Sequence, residues 1–448
     1  MRSLLILVSL LGFVVISLAD DDSGEHVVDV NNLGNDLTKD LGSDVEDFKK
    51  FNKRFNKKIK QKDFKKAAKA FKENNSKLKA LQEKNKGKKF KLKMNRFMAL
   101  PEEEFQSTVL ISPTSMKFNS KTRAIDRKEA KKLRQAKRKA KQEERKKKRL
   151  NRKKEKTAKK AGKQAARAQA KAARQQKRTG KKHKRDTGEA EVSEVAEEEE
   201  PIENEEWAEE TNTEEEPYDP RIDDKLPEKF DWRDYGVITP VKDQSTCGSC
   251  WTFSANGVLE AQHARKHPGE LLDLSEQQIM TCVSPDRLHI CKGGKSEDVF
   301  EYFLNNSLVT EAENPYTPSK TITPRDAGCK KIISPKVKVA SHVSLRGSTV
   351  DEIKDALIQD GPISVGVYLN PEFDYYAGGL FDAPCTDHEA GGHAMIIVGY
   401  GKEDDGTPYW IIKNSWGEDW GEGGYIKWKM GDNLCSVESK RLNQAQIV

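Results

Sequence analysis

The C-terminal half of the sequence predicts an α+β domain, on three observations. After residue 226, Gly, Trp, Tyr and Cys become more frequent, which is typical of a chain with a packed core. Apolar periodicity predicts a helix over residues 251–265. Apolar segments of strand length then follow at residues 363–369, 393–400, 409–415 and 425–428.

The rest of the 448-residue chain lacks that composition. Hydrophobic residues make up only 35% of the sequence and charged residues 34%, so the chain cannot bury an apolar core along its whole length. We therefore expect five regions. They are a signal peptide (1–19), an acidic N-terminal segment (20–45), a helical region (46–105), a long disordered charged linker (106–225) and the α+β domain (226–448).

The first residues have the pattern of a secretory signal peptide. Arg2 precedes an apolar run over residues 4–18, and Ser17 and Ala19 supply small residues at the cleavage spacing. The run is too short for a transmembrane anchor and ends in three acidic residues. We expect a lysosomal or extracellular protein without a membrane anchor. All seven cysteines lie after residue 246, so paired disulfides would leave one cysteine over.

The helical region predicts one apolar stripe on a basic helix. The residues of this stripe recur at steps of three and four: Phe64, Ala67, Ala68, Phe71, Leu78 and Leu81. Residues 90–95 alternate and predict a short strand, and Pro101 predicts the start of another helix.

The linker changes sign along its length. Residues 121–185 are rich in Lys, Arg, Ala and Gln and have no apolar face, which predicts a solvated helix or disorder, whereas residues 189–219 are acidic. The basic block has three interpretations. It is a solvated linker, a segment that binds polyanions such as glycosaminoglycan or nucleic acid, or a clasp on the α+β domain, whose net charge is roughly −10.

The segment from Gln244 to Ser254 carries the densest chemical signal. Cys250 begins the predicted helix, where unpaired backbone N–H groups and the helix dipole favour a thiolate. The amide of Gln244 lies six residues earlier and can donate to a developing oxyanion, with the backbone N–H of Cys250 as the second donor. The pair Cys247 and Cys250 could also be a redox pair or half of a zinc site, but no βαβ pattern surrounds it.

These residues resemble the active-site segment of papain-like cysteine peptidases, and the resemblance covers residues 226–448. His393 follows at the family's spacing of ~130–150 residues, and Asn414 and Trp416 lie in a Lys-Asn-Ser-Trp-Gly segment. The resemblance implies a papain-like two-lobe fold. A helical lobe carries Cys250, a β-barrel-like lobe carries His393 and Asn414, and the active site lies in the cleft.

The same resemblance implies a cysteine endopeptidase that acts on proteins or peptides without a cofactor or metal. The thiolate of Cys250 attacks a peptide carbonyl and forms a thioester acyl-enzyme, while the imidazolium of His393 protonates the leaving amine. Asn414 orients the imidazole, Trp416 shields the bond between them, and Gln244 stabilises the oxyanion. The implied disulfides are Cys247–Cys291, Cys282–Cys329 and Cys385–Cys435; the residues alone leave the pairing open.

Substrate-binding residues also follow from the resemblance. Gly293 and Gly294 correspond to a wall whose backbone hydrogen-bonds an extended substrate. The residues implied for the main specificity pocket are Lys295, Ser296, Gly366, Gly391 and Lys440. Two lysines there favour an acidic residue at the second position before the scissile bond, unless both extend into solvent. The segments 391–393 and 435–439 are similar to cathepsin B, whose histidine-bearing occluding loop is missing here, so endopeptidase action is favoured.

The helical region resembles the inhibitory propeptide of cathepsin L-type zymogens. The matching residues are Phe71, Asn74, Leu78, Asn95, Arg96, Phe97, Glu103, Glu104 and Phe105. Four positions depart from the family's pattern: the family's glutamate, arginine, glycine and aspartate are replaced here by Asp63, Ala67, Lys93 and Ala99, respectively. These departures put in question how tightly the propeptide inhibits and how a change of pH releases it. An unrelated basic helical segment is the alternative.

Two other functions fit parts of the sequence. The chain could be a binding protein in which the basic block acts and the peptidase fold is vestigial, or the thiolate could catalyse acyl or peptidyl transfer. We expect a monomer that its own propeptide inhibits. Asn74 and Asn305 lie in glycosylation sequons whose occupancy the sequence leaves open.

Overall fold

The structure is a computed structural model that describes residues 27–29, 35–111, 143, 146–147, 151, 157, 226–283, 290–318, 329, 334–385 and 391–448. The chain divides into two units, one of residues 1–130 and 225–448 and one of residues 131–224. The expected signal peptide, part of the acidic N-terminal segment, nearly all of the basic block and the acidic run lie outside the described residues. The described residues of the second unit are all helical and exposed: Glu143, Lys146, Lys147, Asn151 and Thr157.

A helical module, here called the propeptide module, forms the N-terminal part of the first unit. Its elements are α1 (Asn35–Leu41), α2 (Val45–Phe55), α3 (Phe64–Lys84), β1 (Phe90–Leu92) and α4 (Glu102–Thr108). The predicted short strand and the helix after Pro101 are therefore confirmed. The expected limits, residues 46 and 105, are too narrow, because α1 packs on α3 and the folded chain continues to residue 111.

Aromatic packing and buried amides hold the propeptide module together. Phe71 on α3 lies 5.0 Å from Phe48 and 5.2 Å from Phe51 between ring centroids, and both partners are on α2. The side-chain nitrogen of Asn74 donates to the carbonyl oxygens of Met98 and Leu100, each at 2.9 Å. Because both carbonyls precede α4, this amide fixes the chain that leads into α4.

The helical lobe is built around α5 (Cys250–Lys266), with α6 (Glu276–Val283) and α7 (Ser296–Tyr302) beside it. Every residue of α5 from Cys250 to Ala264 is buried, so this helix has no solvent face. Gly257 allows α5 to approach the sheet closely, because a Cβ there would lie 2.1 Å from the side chain of Ile396.

The β lobe contains the remaining strands and two helices. The strands of the sheet run in the order β1-β5-β8-β7-β6-β4-β9-β3, with β2 paired to β6, so β1 of the propeptide module extends the sheet at β5. The bounds in this lobe are β2 (Phe230–Asp231), β3 (Val339–Ser344), α8 (Val350–Asp360), β4 (Ile363–Tyr368), α9 (Pro371–Asp374), β5 (Tyr376–Phe381), β6 (Gly392–Lys402), β7 (Pro408–Lys413), β8 (Tyr425–Lys429) and β9 (Asn443–Ile447). The predicted helix and four strand segments are confirmed to within three residues at each end.

The two lobes have separate apolar cores. One core combines the β lobe with the propeptide module, and the other surrounds α5. Across the part of the chain that the structure describes, no helix is both long and apolar enough to span a membrane.

Candidate active site

Cys250 is the first residue of α5, where the sequence predicted the start of a helix. Its side chain is fully buried, and the backbone N–H of Ala394 donates to Sγ at 3.4 Å. It is the free cysteine among the seven. The structure joins the other six as Cys247–Cys291, Cys282–Cys329 and Cys385–Cys435, the pairing that the resemblance implies.

His393 and Asn414 are brought together by the pairing of β6 with β7. His393 lies near the start of β6, and Asn414 directly follows β7, whose Lys413 pairs with Ile396. Nε2 of His393 lies 2.7 Å from Oδ1 of Asn414. Since the amide oxygen only accepts, Nε2 carries the proton in this bond, and Nδ1 is left to exchange a proton with the thiol of Cys250.

Trp416 covers the bond between His393 and Asn414. Its ring lies 4.9 Å from the imidazole, and its side chain is fully buried. Two aromatic residues of the propeptide module cover Trp416 in turn, Phe97 at 5.3 Å and Phe105 at 5.7 Å, both edge-on. The propeptide module therefore seals this side of the site against water.

Gln244 presents its amide to the cleft. Its Oε1 accepts a hydrogen bond from the hydroxyl of Ser415 at 2.7 Å, which leaves the NH₂ group as the donor that faces the cleft. That nitrogen donates to the carbonyl oxygen of Cys247 at 2.8 Å and to that of Val109 at 2.9 Å. A peptide carbonyl of the propeptide module is therefore bound by the predicted oxyanion donor.

The chain after α4 runs through the cleft. Val109, Leu110 and Ile111 are all buried, and Ile111 exchanges two backbone hydrogen bonds of 2.8 Å with Gly392. Gly293 has a φ of 97°, and a Cβ there would lie 2.9 Å from a methyl group of Ile111. This segment was expected to be linker, and the expectation is wrong: residues 109–111 are buried in the cleft that contains Cys250 and His393.

Three of the residues proposed for the specificity pocket line a cavity beside His393, which forms the expected catalytic dyad with Cys250. Its lining consists of Ile111, Trp251, Gly294, Lys295, Ser296, Ser364, Gly366, His393, Ala394 and Arg441. Gly391 instead lies next to Leu110 and Ile111 of the propeptide module, because a Cβ there would be 3.2 Å from an atom of each. Gly294 is needed next to Trp251, because a Cβ would lie 2.5 Å from the indole ring.

The expectation that Lys440 lines the pocket is wrong. Its ammonium lies 3.7 Å from the ring centroid of Tyr368, and the neighbouring Arg441 faces the pocket instead. Arg441 has a left-handed φ of 44°, as do Cys435 (52°) and Ser436 (69°). These left-handed residues break the side-chain alternation of an extended chain, so position along the sequence did not show which cation faces inward.

Burial under the propeptide changes the protonation of the dyad. Burial raises the pKa of the Cys250 thiol to about 12, although backbone N–H groups, chiefly that of Ala394, oppose this. Burial also lowers the pKa of His393 to about 4, against the hydrogen bond with Asn414. In the closed precursor the neutral thiol and neutral imidazole are thus favoured over the expected ion pair, because water reaches neither charge.

Sequence reasoning missed Tyr316, whose hydroxyl connects two parts of the site. The hydroxyl lies 2.8 Å from the carbonyl oxygen of Gln244 and 2.7 Å from Oγ of Ser249, the residue before Cys250. Because the carbonyl only accepts, Tyr316 donates to Gln244 and accepts from Ser249. A lone tyrosine in an Asn-Pro-Tyr segment gave no signal of this contact.

Within the described residues, no group of three potential metal ligands is gathered at one point.

Comparisons with known proteins match the C-terminal half of the chain. The family model described as papain family cysteine protease matches residues 226–445. Thiol protease aleurain of Arabidopsis thaliana is 41% identical over 220 residues, which are 47% of this chain and 58% of that protein. A cathepsin L-like peptidase of Aedes aegypti is 38% identical over 219 residues, covering 48% of this chain and 62% of that protein. The chain therefore spans about three fifths of the length of these relatives.

Solved structures extend the likeness in fold to the propeptide module. Digestive procathepsin L 3 of Tenebrio molitor superposes with a TM-score of 0.57 at 22% identity, covering 90% of this chain and 98% of that chain. The proform of the ragweed cysteine protease Amb a 11 superposes with a TM-score of 0.57 at 22% identity, covering 93% and 98%. Residues 226–445 therefore form a domain that matches the papain family of cysteine proteases, and the chain has the fold of a proform.

Proposed function

We propose that the chain is the inactive precursor of a cysteine endopeptidase that hydrolyses peptide bonds with Cys250 and His393. One observation carries the proposal. The amide of Gln244 donates to the carbonyl oxygen of Val109 at 2.9 Å, in a cleft that also contains the thiol and the imidazole. A site that binds one peptide carbonyl there has the donor that a tetrahedral oxyanion requires.

Acylation follows from the roles of these groups once the propeptide has left. Water then reaches the site, so the proton moves from Cys250 to His393, and the thiolate attacks the carbonyl carbon of the scissile bond. The C–S bond forms, and the negative charge on oxygen is stabilised by Gln244 and by the backbone N–H of Cys250. As the C–N bond breaks, His393 gives its proton to the leaving nitrogen.

Deacylation uses the same groups in reverse. The neutral imidazole of His393 takes a proton from a water molecule, whose oxygen attacks the thioester carbonyl. The C–S bond breaks, the carboxylic acid leaves, and Cys250 returns as a thiolate beside the imidazolium. Asn414 keeps the ring oriented through both steps, and Trp416 keeps competing water from their hydrogen bond.

Inhibition by the propeptide module rests on two kinds of contact. Residues 109–111 occupy the cleft, so a substrate cannot enter until they leave. Cations of the propeptide module also pair with acids of the peptidase domain: Lys84 with Glu372 at 2.8 Å, Lys89 with Asp405, and Arg96 with Asp243 and Asp419. The opposite net charges of the two parts support a zymogen held partly by electrostatics.

The compartment and partners are part of the same proposal. The predicted signal peptide and the three disulfides favour a monomeric secretory protein that acts in the lysosome or outside the cell. Its substrates would be proteins or peptides. The basic block, outside the described residues, keeps its alternatives of solvated linker, glycosaminoglycan binding and clasp.

Active-site titration tests the proposal. The full precursor and its Cys250→Ala variant are activated at acid pH and treated with an epoxide probe for thiols, and peptide hydrolysis is followed in parallel. We expect one equivalent of label on Cys250, hydrolysis of peptides, and neither in the variant. Absence of label on folded, disulfide-intact protein from which the propeptide has been removed would refute the proposal.

A further inference from the structure

The cavity beside the dyad combines an apolar wall with a buried cation. Ile111 of the propeptide module lies in it, against Trp251 and Ala394. Arg441, which is 4% exposed, forms part of the same lining. An occupant of this cavity therefore meets both an apolar surface and a guanidinium group.

Gly366 makes room for the Arg441 side chain. A Cβ at Gly366 would lie 3.2 Å from Cβ and 3.3 Å from Cδ of Arg441, so a larger residue there would press on its aliphatic stem. Packing on Gly366 holds that stem in the wall of the cavity. A cation held in this way loses little conformational entropy when it binds a carboxylate.

The other charged groups near the cavity have different positions. Lys295 is a second cation in the lining, at the start of α7. Glu297 and Asp298 act electrostatically on Arg441, but neither is among the described lining residues. Lys440 stacks on Tyr368. Among the described lining residues, the charged groups that an occupant meets are therefore these two cations.

We propose that this cavity binds an acidic side chain of the substrate, and that Arg441 is the residue that selects it. The inference rests on the proposed peptidase function and names a class of substrate for the same site. A glutamate side chain has methylene groups for the wall of Trp251 and Ala394 and a carboxylate for the planar guanidinium of Arg441. Ile111 brings no carboxylate to this cavity, so an acidic side chain gains a contact with Arg441 that Ile111 does not make.

Paired peptide substrates test this inference. Three fluorogenic peptides differ only in the residue before the one at the cleaved bond, which is Glu, Gln or Leu. The enzyme is prepared from the full precursor by acid activation, and kcat/KM is measured at pH 6, where a glutamate side chain is ionised. Arg441→Gln removes the cation, Arg441→Lys retains charge without the planar fork, and Lys440→Gln is the matched control.

The expected result is a preference for Glu over Gln of about tenfold in the unaltered enzyme, the size of one hydrogen bond between charged groups. Arg441→Gln should bring the Glu and Gln rates within about twofold, Arg441→Lys should retain part of the preference, and Lys440→Gln should keep it in full. Equal rates for Glu and Gln in the unaltered enzyme overturn the inference, even if no variant folds. A preference that survives Arg441→Gln assigns the selection to another residue and also overturns it. Cleavage of the Leu peptide measures the peptidase activity independently of any acidic preference. Failure of the proposed peptidase function can therefore be told apart from failure of the inference about Arg441.

Discussion

Replacing Phe105 by alanine should open the precursor. Phe105 is 5% exposed and packs on Phe97 at 5.1 Å and on Trp416 at 5.7 Å, so it links the propeptide module to the aromatic cover of the dyad. Truncating a buried phenylalanine costs about 3–5 kcal/mol. At the lower value the equilibrium between closed and open precursor shifts about a hundredfold towards the open form.

The rate at which an epoxide probe labels Cys250 in the intact precursor at pH 7 measures that shift, since the probe reaches the thiol only in the open form. We expect labelling of Phe105→Ala to be about a hundredfold faster than that of the unaltered precursor. Phe55→Ala is the matched control, because Phe55 packs on Phe51 within the propeptide module (5.5 Å). Labelling that changes less than about threefold in Phe105→Ala would show that this contact does not hold the cleft closed.

Three further outcomes are expected. Tyr316→Phe removes the hydrogen bond to the carbonyl of Gln244 and should lower kcat about tenfold with little change in KM, whereas a purely structural role would lower only the melting temperature. Glu260 is 1% exposed and accepts hydrogen bonds from one lysine, one threonine hydroxyl and one backbone N–H. Glu260→Ala should therefore lower the free energy of unfolding, measured by urea denaturation, by about 3 kcal/mol. A loss under about 1 kcal/mol would contradict this structural role. Burial would raise the pKa of Glu372, but the hydrogen bond and charge of Lys84, a backbone N–H and the amide of Asn85 together outweigh it and lower that pKa below its ordinary 4.5. The contribution of this pair to closure is therefore present above pH 4.5 and is lost as the pH falls further. Probe labelling should accelerate below pH 4.5, and Lys84→Met should label severalfold faster than the unaltered precursor at pH 7; equal rates there would exclude the pair as a determinant of closure.

Local patterns and one family resemblance predicted the elements that carry the dyad. Cys250 begins a helix because apolar residues follow at helical spacing, and His393 and Asn414 lie at the ends of apolar segments that pair as β6 and β7. Gln244 was assigned from its place before Cys250, and its amide does face the cleft. The positions of these residues could be predicted because each depends on short-range pattern or on spacing along the chain.

The parts that sequence reasoning missed depend on distant contacts or on single backbone angles. Residues 109–111 are three ordinary apolar residues, and their place in the cleft follows from the path of the whole propeptide module. Arg441 rather than Lys440 faces the pocket because of left-handed residues in the preceding turn. The raised pKa of Cys250 arises from burial in a cluster that includes Ile111, which lies more than a hundred residues away in sequence, and no local motif encodes that contact.

The buried amide of Asn74 also constrains how the chain can be glycosylated. An oligosaccharide is attached through this same side-chain nitrogen, which donates to Met98 and Leu100 in the folded module. A glycan would remove one of the two hydrogens and could not fit at a position that is 8% exposed. Asn305, exposed in the turn after α7, can carry one without loss of a described contact. Glycosylation of Asn74 and folding of the inhibitor therefore compete for one nitrogen atom, and a chain glycosylated there would be made without a working inhibitor.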